Sequence, residues 1–141
     1  MHFRIDCAPP TATAQQKGVF VRGGRAHFYV KPKVRQGENF LAALLAPHAP
    51  PAPFSRPALR VLWTFPYRKG ERKSVVRSGA VIPHTTRFDL DNLEKSLLDV
   101  MTRLRFWEDD SRITAKHTVK RMGPRPGIEI WVREATLEDL A

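Results

Sequence analysis

The sequence predicts an α+β fold: a small mixed, largely antiparallel sheet packed against two main helices. Three observations carry that prediction. Helical and strand patterns both occur, but without the regular βαβ alternation of a doubly wound parallel sheet. At 141 residues the chain has the commonest size for one domain, and dividing it would leave two pieces each short of a core. Its hydrophobic content is 42%, with eight Phe and three Trp, enough apolar mass to fold without cross-links.

Taken in order, His2 to Asp6 reads as a short strand, ended by Pro9-Pro10 ahead of a polar stretch, Thr11 to Lys17, with no apolar period. Gly23-Gly24 marks a turn, and Ala26 to Val30 is a second short strand. Lys33 to Ala46 carries Val34, Phe40, Leu41, Leu44 and Leu45 at helical spacing. Pro47 to Pro57 holds five prolines, which excludes a helix and predicts a loop or extended connector. Ala58 to Tyr67, rich in β-branched and aromatic residues, predicts a central strand.

Arg68 to Lys73 is a basic patch with one acid, Glu71, and Val75 to Ile82 is apolar but broken by Gly79. The clearest helix starts at Leu90, because Leu90, Leu93, Leu97, Met101 and Leu104 recur every three or four residues and mark one buried face. Arg112 to Lys120 alternates, which predicts a half-buried strand with Ile113, Ala115, His117 and Val119 turned inward. Ile128, Ile130 and Val132 form the inner face of a last strand, expected to pair with its predecessor as a hairpin across the Gly123 to Gly127 turn. Residues 134–141 read as a polar tail or short helix.

The formal net charge is +10, with 24 Lys and Arg against 14 Asp and Glu. Such a field favours polyanions, and nucleic acid is the usual partner of a basic domain of this size. The balance is uneven: residues 1–87 hold 15 basic and 3 acidic side chains, residues 88–141 hold 9 and 11. No run approaches the roughly 20 apolar residues of a membrane span. The N-terminal residues lack the apolar core of a signal peptide, and the lone Cys7 can make no intramolecular disulfide. These features predict a cytoplasmic protein with no membrane partner. Gly23-Gly24 lacks the flanking spacing of a phosphate loop, and no organic cofactor is expected.

The acids concentrate in Asp89-Leu90-Asp91-Asn92-Leu93-Glu94-Lys95 and in Glu108-Asp109-Asp110. One reading is capping, since an Asp before a helix is a common N-cap and Asp91 with Glu94 fits a capping box. The other is a metal site. Asp89 and Asp91 flank Leu90, so an extended entry to the helix projects both carboxylates to one side. Glu108 to Asp110 follow the helix C-terminus, where the macrodipole disfavours negative charge, and a strand running back along the helix would carry one of them toward the first pair. Clustered carboxylates need a compensating cation, and Mg²⁺ suits all-oxygen ligands, with Mn²⁺ as a substitute. Lys95, four residues beyond Asp91, either pairs with that carboxylate or meets charge developing on a phosphate; Asp99 offers it a second ordinary partner.

The run from Asp89 to Lys95, then Leu98-Asp99 and Phe106-Trp107-Glu108-Asp109-Asp110, resembles the signature of the RusA family of Holliday-junction resolvases, most strongly over residues 87–120. The resemblance implies a homodimeric, Mg²⁺-dependent endonuclease that nicks four-way DNA junctions symmetrically in recombination and repair. It also implies that Asp89, Asp91 and Asp110 are the catalytic, metal-binding carboxylates, that Lys95 is the essential lysine, and that Asp109 is a neighbouring acid. Ala8-Pro9-Pro10-Thr11 is similar to the family's Pro-containing N-terminal loop, whereas Thr13 to Val19 departs from it and Pro47 to Pro57 reads as an insertion.

Arg68, Lys69, Arg72 and Lys73, with Lys116 and Lys120 on the polar strand face, are the candidate DNA contacts, against a solvated face as the alternative. The five histidines show no ligand spacing; His117 is expected to be packed, and His84 lies shortly before Asp89. Trp63 and Trp107 are expected in the core or a dimer interface rather than stacked on bases. A function of a different class also fits the charge: a non-catalytic, basic DNA-binding module whose acids only cap a helix. A nuclease acting on other branched DNA is the nearer variant.

Overall fold

The computed structural model describes residues 1–10 and 17–141. The polar stretch Thr11 to Lys17 therefore lies outside the described residues, except that Lys17 opens a strand. The elements are β1 (His2–Ile5), β2 (Lys17–Arg22), β3 (Arg25–Val30), α1 (Pro32–Leu45), β4 (Pro57–Phe65), α2 (Lys73–Ser78), β5 (Ile82–Pro83), α3 (Leu90–Arg103), β6 (Ala115–Met122) and β7 (Gly127–Glu134). Five strands form one sheet in the order β1-β7-β4-β6-β5, antiparallel at every pairing except β4 with β6. The fold is α+β with a mostly antiparallel sheet, as the sequence pattern predicts. Among the described residues, no helix is long and apolar enough to cross a membrane.

Local chemistry sets the boundaries. Pro32 stands at the first position of α1, where its missing N–H costs nothing. The left-handed Gly79 ends α2. At the end of α3, Arg105 turns left-handed, and the Phe106 N–H donates to Met101 O at 3.0 Å. The chain then descends into the core, where Phe106 and Trp107 are fully buried and Trp107 Nε1 donates to Thr102 Oγ1 at 2.7 Å. Trp63 is buried as completely, so two of the three tryptophans serve packing.

The core lies between one face of the sheet and the two long helices. Leu59, Val61, Trp63 and Phe65 of β4, with Ile128, Ile130 and Val132 of β7, meet Leu93, Leu97 and Met101 of α3 and Leu41 and Leu45 of α1. Fully burying each large side chain contributes on the order of 1.5–3 kcal/mol. The other sheet face carries a cross-strand row, His2, Trp131, Arg60 and His117; Trp131 stacks on His2, and the Arg60 guanidinium lies 5.0 Å from its ring centroid.

Three expectations change. β6 and β7 do not form a hairpin: β4 lies between them, and the Gly123 to Pro126 connection passes over its end. Pro124 and Pro126 suit an extended crossing rather than the tight turn a two-stranded hairpin needs. The parity of β6 is the reverse of that expected, since His117 is exposed while Lys116, Thr118, Lys120 and Met122 alternate on the helix-facing side. Finally, β2 pairs with β3 across Gly23-Gly24 in a separate ribbon. Its contiguous Val19, Phe20 and Val21 hid the alternation of a strand.

Candidate active site

The helix-facing side of β6 is polar where it meets the entry and the second turn of α3. Glu94 is on the buried side of α3, where it accepts hydrogen bonds from Lys116 Nζ at 2.5 Å and from the Thr118 hydroxyl. Two residues further along the strand, Lys120 Nζ donates to the carbonyls of Thr86 at 2.8 Å and Phe88 at 3.0 Å. Lys116 and Lys120, expected on a face tracking phosphates, are thus engaged with the entry and the second turn of α3. A buried carboxylate is retained only when it is paired and hydrogen-bonded, and this one is both.

The first turn of α3 carries the candidate carboxylates. Asp89 occupies the N-cap position, but its side chain makes no capping hydrogen bond; only its carbonyl serves the helix, accepting from Leu93 N at 3.2 Å. The capping box of Asp91 with Glu94 does not form because the helix starts at Leu90, which puts Asp91 inside the first turn rather than at the N-cap, and Glu94 turns toward β6. Asp91 is exposed in the first turn and Lys95 one turn later, and neither side chain forms a hydrogen bond or ion pair among the described residues. The capping explanation of these acids therefore fails at the side-chain level.

Asp110 opens a 3-10 turn, Asp110–Arg112, that touches α3. Asp109 caps this turn, accepting from Ser111 N at 2.9 Å; hydrogen bonding from Ser111 holds its carboxyl below the usual range. Asp110 itself is exposed and, among the described residues, unpaired. The structure thus sets Asp89 and Asp91 at one helix start and Asp110 on a turn against the same helix. Among the described residues it closes no group of three acidic, His or Cys side chains into a metal cage. The unpaired Asp89 and Asp91 do fit a hard divalent cation of the Mg²⁺ type, which takes one or two carboxylates and fills its remaining positions with water and phosphate oxygen.

The turn before α3 is held from several sides. Phe88 adopts φ +77°, stacks on Phe65 with ring centroids 5.6 Å apart, and meets the edge of His84. His84 is buried, and its Nδ1 has no hydrogen-bond partner among the described residues. Burial, then the charges of Lys120 and Arg68, push the His84 imidazole below its ordinary range, which keeps it neutral. That influence brings the Arg68 loop into the electrostatic neighbourhood of the helix entry. Arg68, Lys69, Arg72 and Lys73 are all exposed, and among the described residues none forms an ion pair.

Sequence reasoning passed over Glu94, Thr118 and Phe88. For Glu94 a signal existed: it lies four residues after Leu90 and three and seven before Leu97 and Met101, a charge within the apolar stripe. A backbone turn such as that at Phe88 leaves no such mark.

A basic α+β fold with unpaired carboxylates at one helix start, beside a free lysine and an exposed basic loop, belongs in charge and layout with enzymes that act on nucleic acid. Comparison with known proteins gives that class its family: the family described as Endodeoxyribonuclease RusA matches residues 8–133. The chain belongs to the RusA family of endodeoxyribonucleases. It is 35% identical over 135 residues to the crossover junction endodeoxyribonuclease RusA of Lactococcus phage r1t, covering 94% of this chain and 95% of that one. A Bacillus subtilis (strain 168) protein, YqaN, described only as uncharacterized, is 24% identical over 133 residues, covering 90% and 92%.

Proposed function

We propose that residues 1–141 act as one Mg²⁺-dependent endonuclease domain that resolves four-way DNA junctions by paired symmetric nicks, as a cytoplasmic homodimer serving recombination and repair. The observation that carries this reading is the pair of exposed carboxylates, Asp89 and Asp91, that neither cap α3 nor pair with a cation among the described residues. Membership of the RusA family and similarity to a phage protein named as a crossover junction endodeoxyribonuclease supply the substrate.

In this reading Asp89 and Asp91 would hold the Mg²⁺, with Mn²⁺ as a substitute, and Asp110, on the turn against the same helix, would be the third carboxylate drawn to the ion. The bound ion supplies Lewis acidity and a more acidic water. Lys95, one turn beyond Asp91, neutralises charge developing on the scissile phosphate. Arg68, Lys69, Arg72 and Lys73 bind backbone phosphates flanking the cut, which positions the DNA without reading its sequence. A two-fold dimer gives two identical sites for two symmetry-related strands, the match a four-way junction requires.

The test is Asp91→Asn on a synthetic four-way junction. Nicking in Mg²⁺ should fall by roughly 100- to 1,000-fold or more, the order seen on removing a group that stabilises transition-state charge. Junction binding should persist. A parent protein that leaves the junction intact in both Mg²⁺ and Mn²⁺ overturns the reading, and equal cutting of linear, forked and four-way substrates overturns the junction assignment alone. Light scattering at micromolar concentration checks the dimer.

A further inference from the structure

The three polar residues that β6 directs at α3 all end on the segment that delivers Asp89 and Asp91. Lys116 and Thr118 hold Glu94, which lies on the turn after Asp91. Lys120 holds the carbonyls of Thr86 and Phe88, the second of which belongs to the peptide group leading into Asp89. The peptide group on the other side of Asp89 is held by the Leu93 N–H, 3.2 Å from Asp89 O. Both peptide planes flanking Asp89 are therefore fixed, one from the sheet and one from the helix, which leaves its carboxylate only two side-chain torsions.

The conformation held this way is not one the chain adopts freely. At φ +77°, Phe88 is left-handed, a region that a bulky L residue occupies only where its surroundings enforce it. Phe65 stacking fixes the ring of Phe88. Nothing in that contact sets the carbonyl direction; the Lys120 ammonium does.

We propose that Lys120 is a positioning residue of the cleavage site: by binding the carbonyls of Thr86 and Phe88 it locks the left-handed turn that aims Asp89. The contact of Glu94 with Lys116 and Thr118 docks α3 in the same register. Lys120 thereby acts on the reaction through the backbone of its neighbours and not as a phosphate ligand. The proposal rests on the reading that Asp89 is a catalytic carboxylate.

The experiment compares the parent chain with K120M, K120R and D89N in four measurements: single-turnover junction cleavage at saturating protein, junction affinity without divalent cation, the Mg²⁺ concentration for half-maximal rate, and hydrogen exchange across 84–93. K120M should cleave about 10- to 100-fold more slowly, the usual cost of losing a group that orients a metal ligand. Its Mg²⁺ midpoint should rise several-fold, its junction affinity should stay within about threefold, and exchange in 86–90 should accelerate about tenfold or more. K120R, which keeps the charge and the donors, should recover much of the rate. Thermal melting checks that K120M is folded; if it is not, K120Q takes its place with the same expectations.

Parental cleavage by folded K120M overturns the proposal. So does weakened binding with an unchanged saturated rate, which would make Lys120 a phosphate contact. D89N separates the layers: if it cuts normally, the active-site reading beneath the proposal is wrong, whereas an inactive D89N beside a normal K120M removes the positioning role alone.

Discussion

The Glu94 contact with β6 can be weighed by a double-mutant cycle of Glu94→Gln and Lys116→Met. The Glu94 side chain is 7% exposed and that of Lys116 is 53% exposed, so this pair lies between the two limiting cases. Breaking a fully buried pair by removing one partner costs about 3–5 kcal/mol, and an exposed pair is worth about 0.2–1 kcal/mol. A charge-assisted hydrogen bond contributes about 1.5–3 kcal/mol, and the half-exposed ammonium discounts that figure by about half. K116M should therefore cost about 0.7–1.5 kcal/mol, since Glu94 keeps only the Thr118 hydroxyl. E94Q should cost about 1 kcal/mol, because Lys116 can turn to water while the amide still accepts from Thr118. Their coupling should be about 1 kcal/mol. Urea unfolding at one fixed protein concentration reads all four corners, provided the m-values agree. A coupling at or below about 0.3 kcal/mol, the scatter expected of independent sites, would show that Glu94 is solvated in solution and does not dock α3.

Replacing Arg68, Lys69, Arg72 and Lys73 together with alanine should weaken junction binding and make its salt dependence shallower, by up to about 3–4 in log-log slope if each meets one phosphate. An unchanged slope would place the DNA elsewhere. For His84, the pKa is lowered in the fold by burial and then by the charges of Lys120 and Arg68, so the unfolded chain binds more protons between the lowered value and about pH 6.5. The resulting stability is full above about pH 6.5 and is lost as the pH falls toward the folded value. Thermal melting from pH 7.5 to 5 should show a steeper acid loss in the parent than in H84L, and parallel curves would refute this assignment.

Much of the scaffold was legible because its signals are local. The stripe from Leu90 to Leu104 defines α3, and the apolar run Ala58 to Phe65 defines the central β4, buried on nearly its whole length. The sheet order was not legible. That β4 separates β6 from β7 depends on a pairing between residues more than fifty positions apart, such as Leu59 with Lys116, which no local pattern encodes. The parity of β6 misled for a related reason. Ile113, Ala115 and Val119 look like an inner face, but inward means toward whatever lies over the strand, and over β6 it is a polar helix entry. For the site, spacing gave a pair of carboxylates and could not decide between capping and catalysis. The uncapped side chain of Asp89 and the helix start at Leu90, which takes Asp91 out of the N-cap position, bear on that choice, and spacing encodes neither.

An exposed carboxylate pair at a helix start has no reason of its own to keep one orientation. Like charges repel, solvent competes for every oxygen, and the positive end of the α3 dipole favours both acids without steering either. Order must come from the backbone, and a helix start is a poor source because its first N–H groups lack helical partners. This fold supplies order from β6, which pairs with β4 along its length and so carries the rigidity of the central strand. Placing Lys116, Thr118 and Lys120 on its inner face forgoes apolar burial at three positions and leaves one buried carboxylate dependent on partners. That arrangement is reasonable only if orientation at the entry to α3 matters more than the stability three apolar residues would add, which is what a site that acts through Asp89 and Asp91 requires.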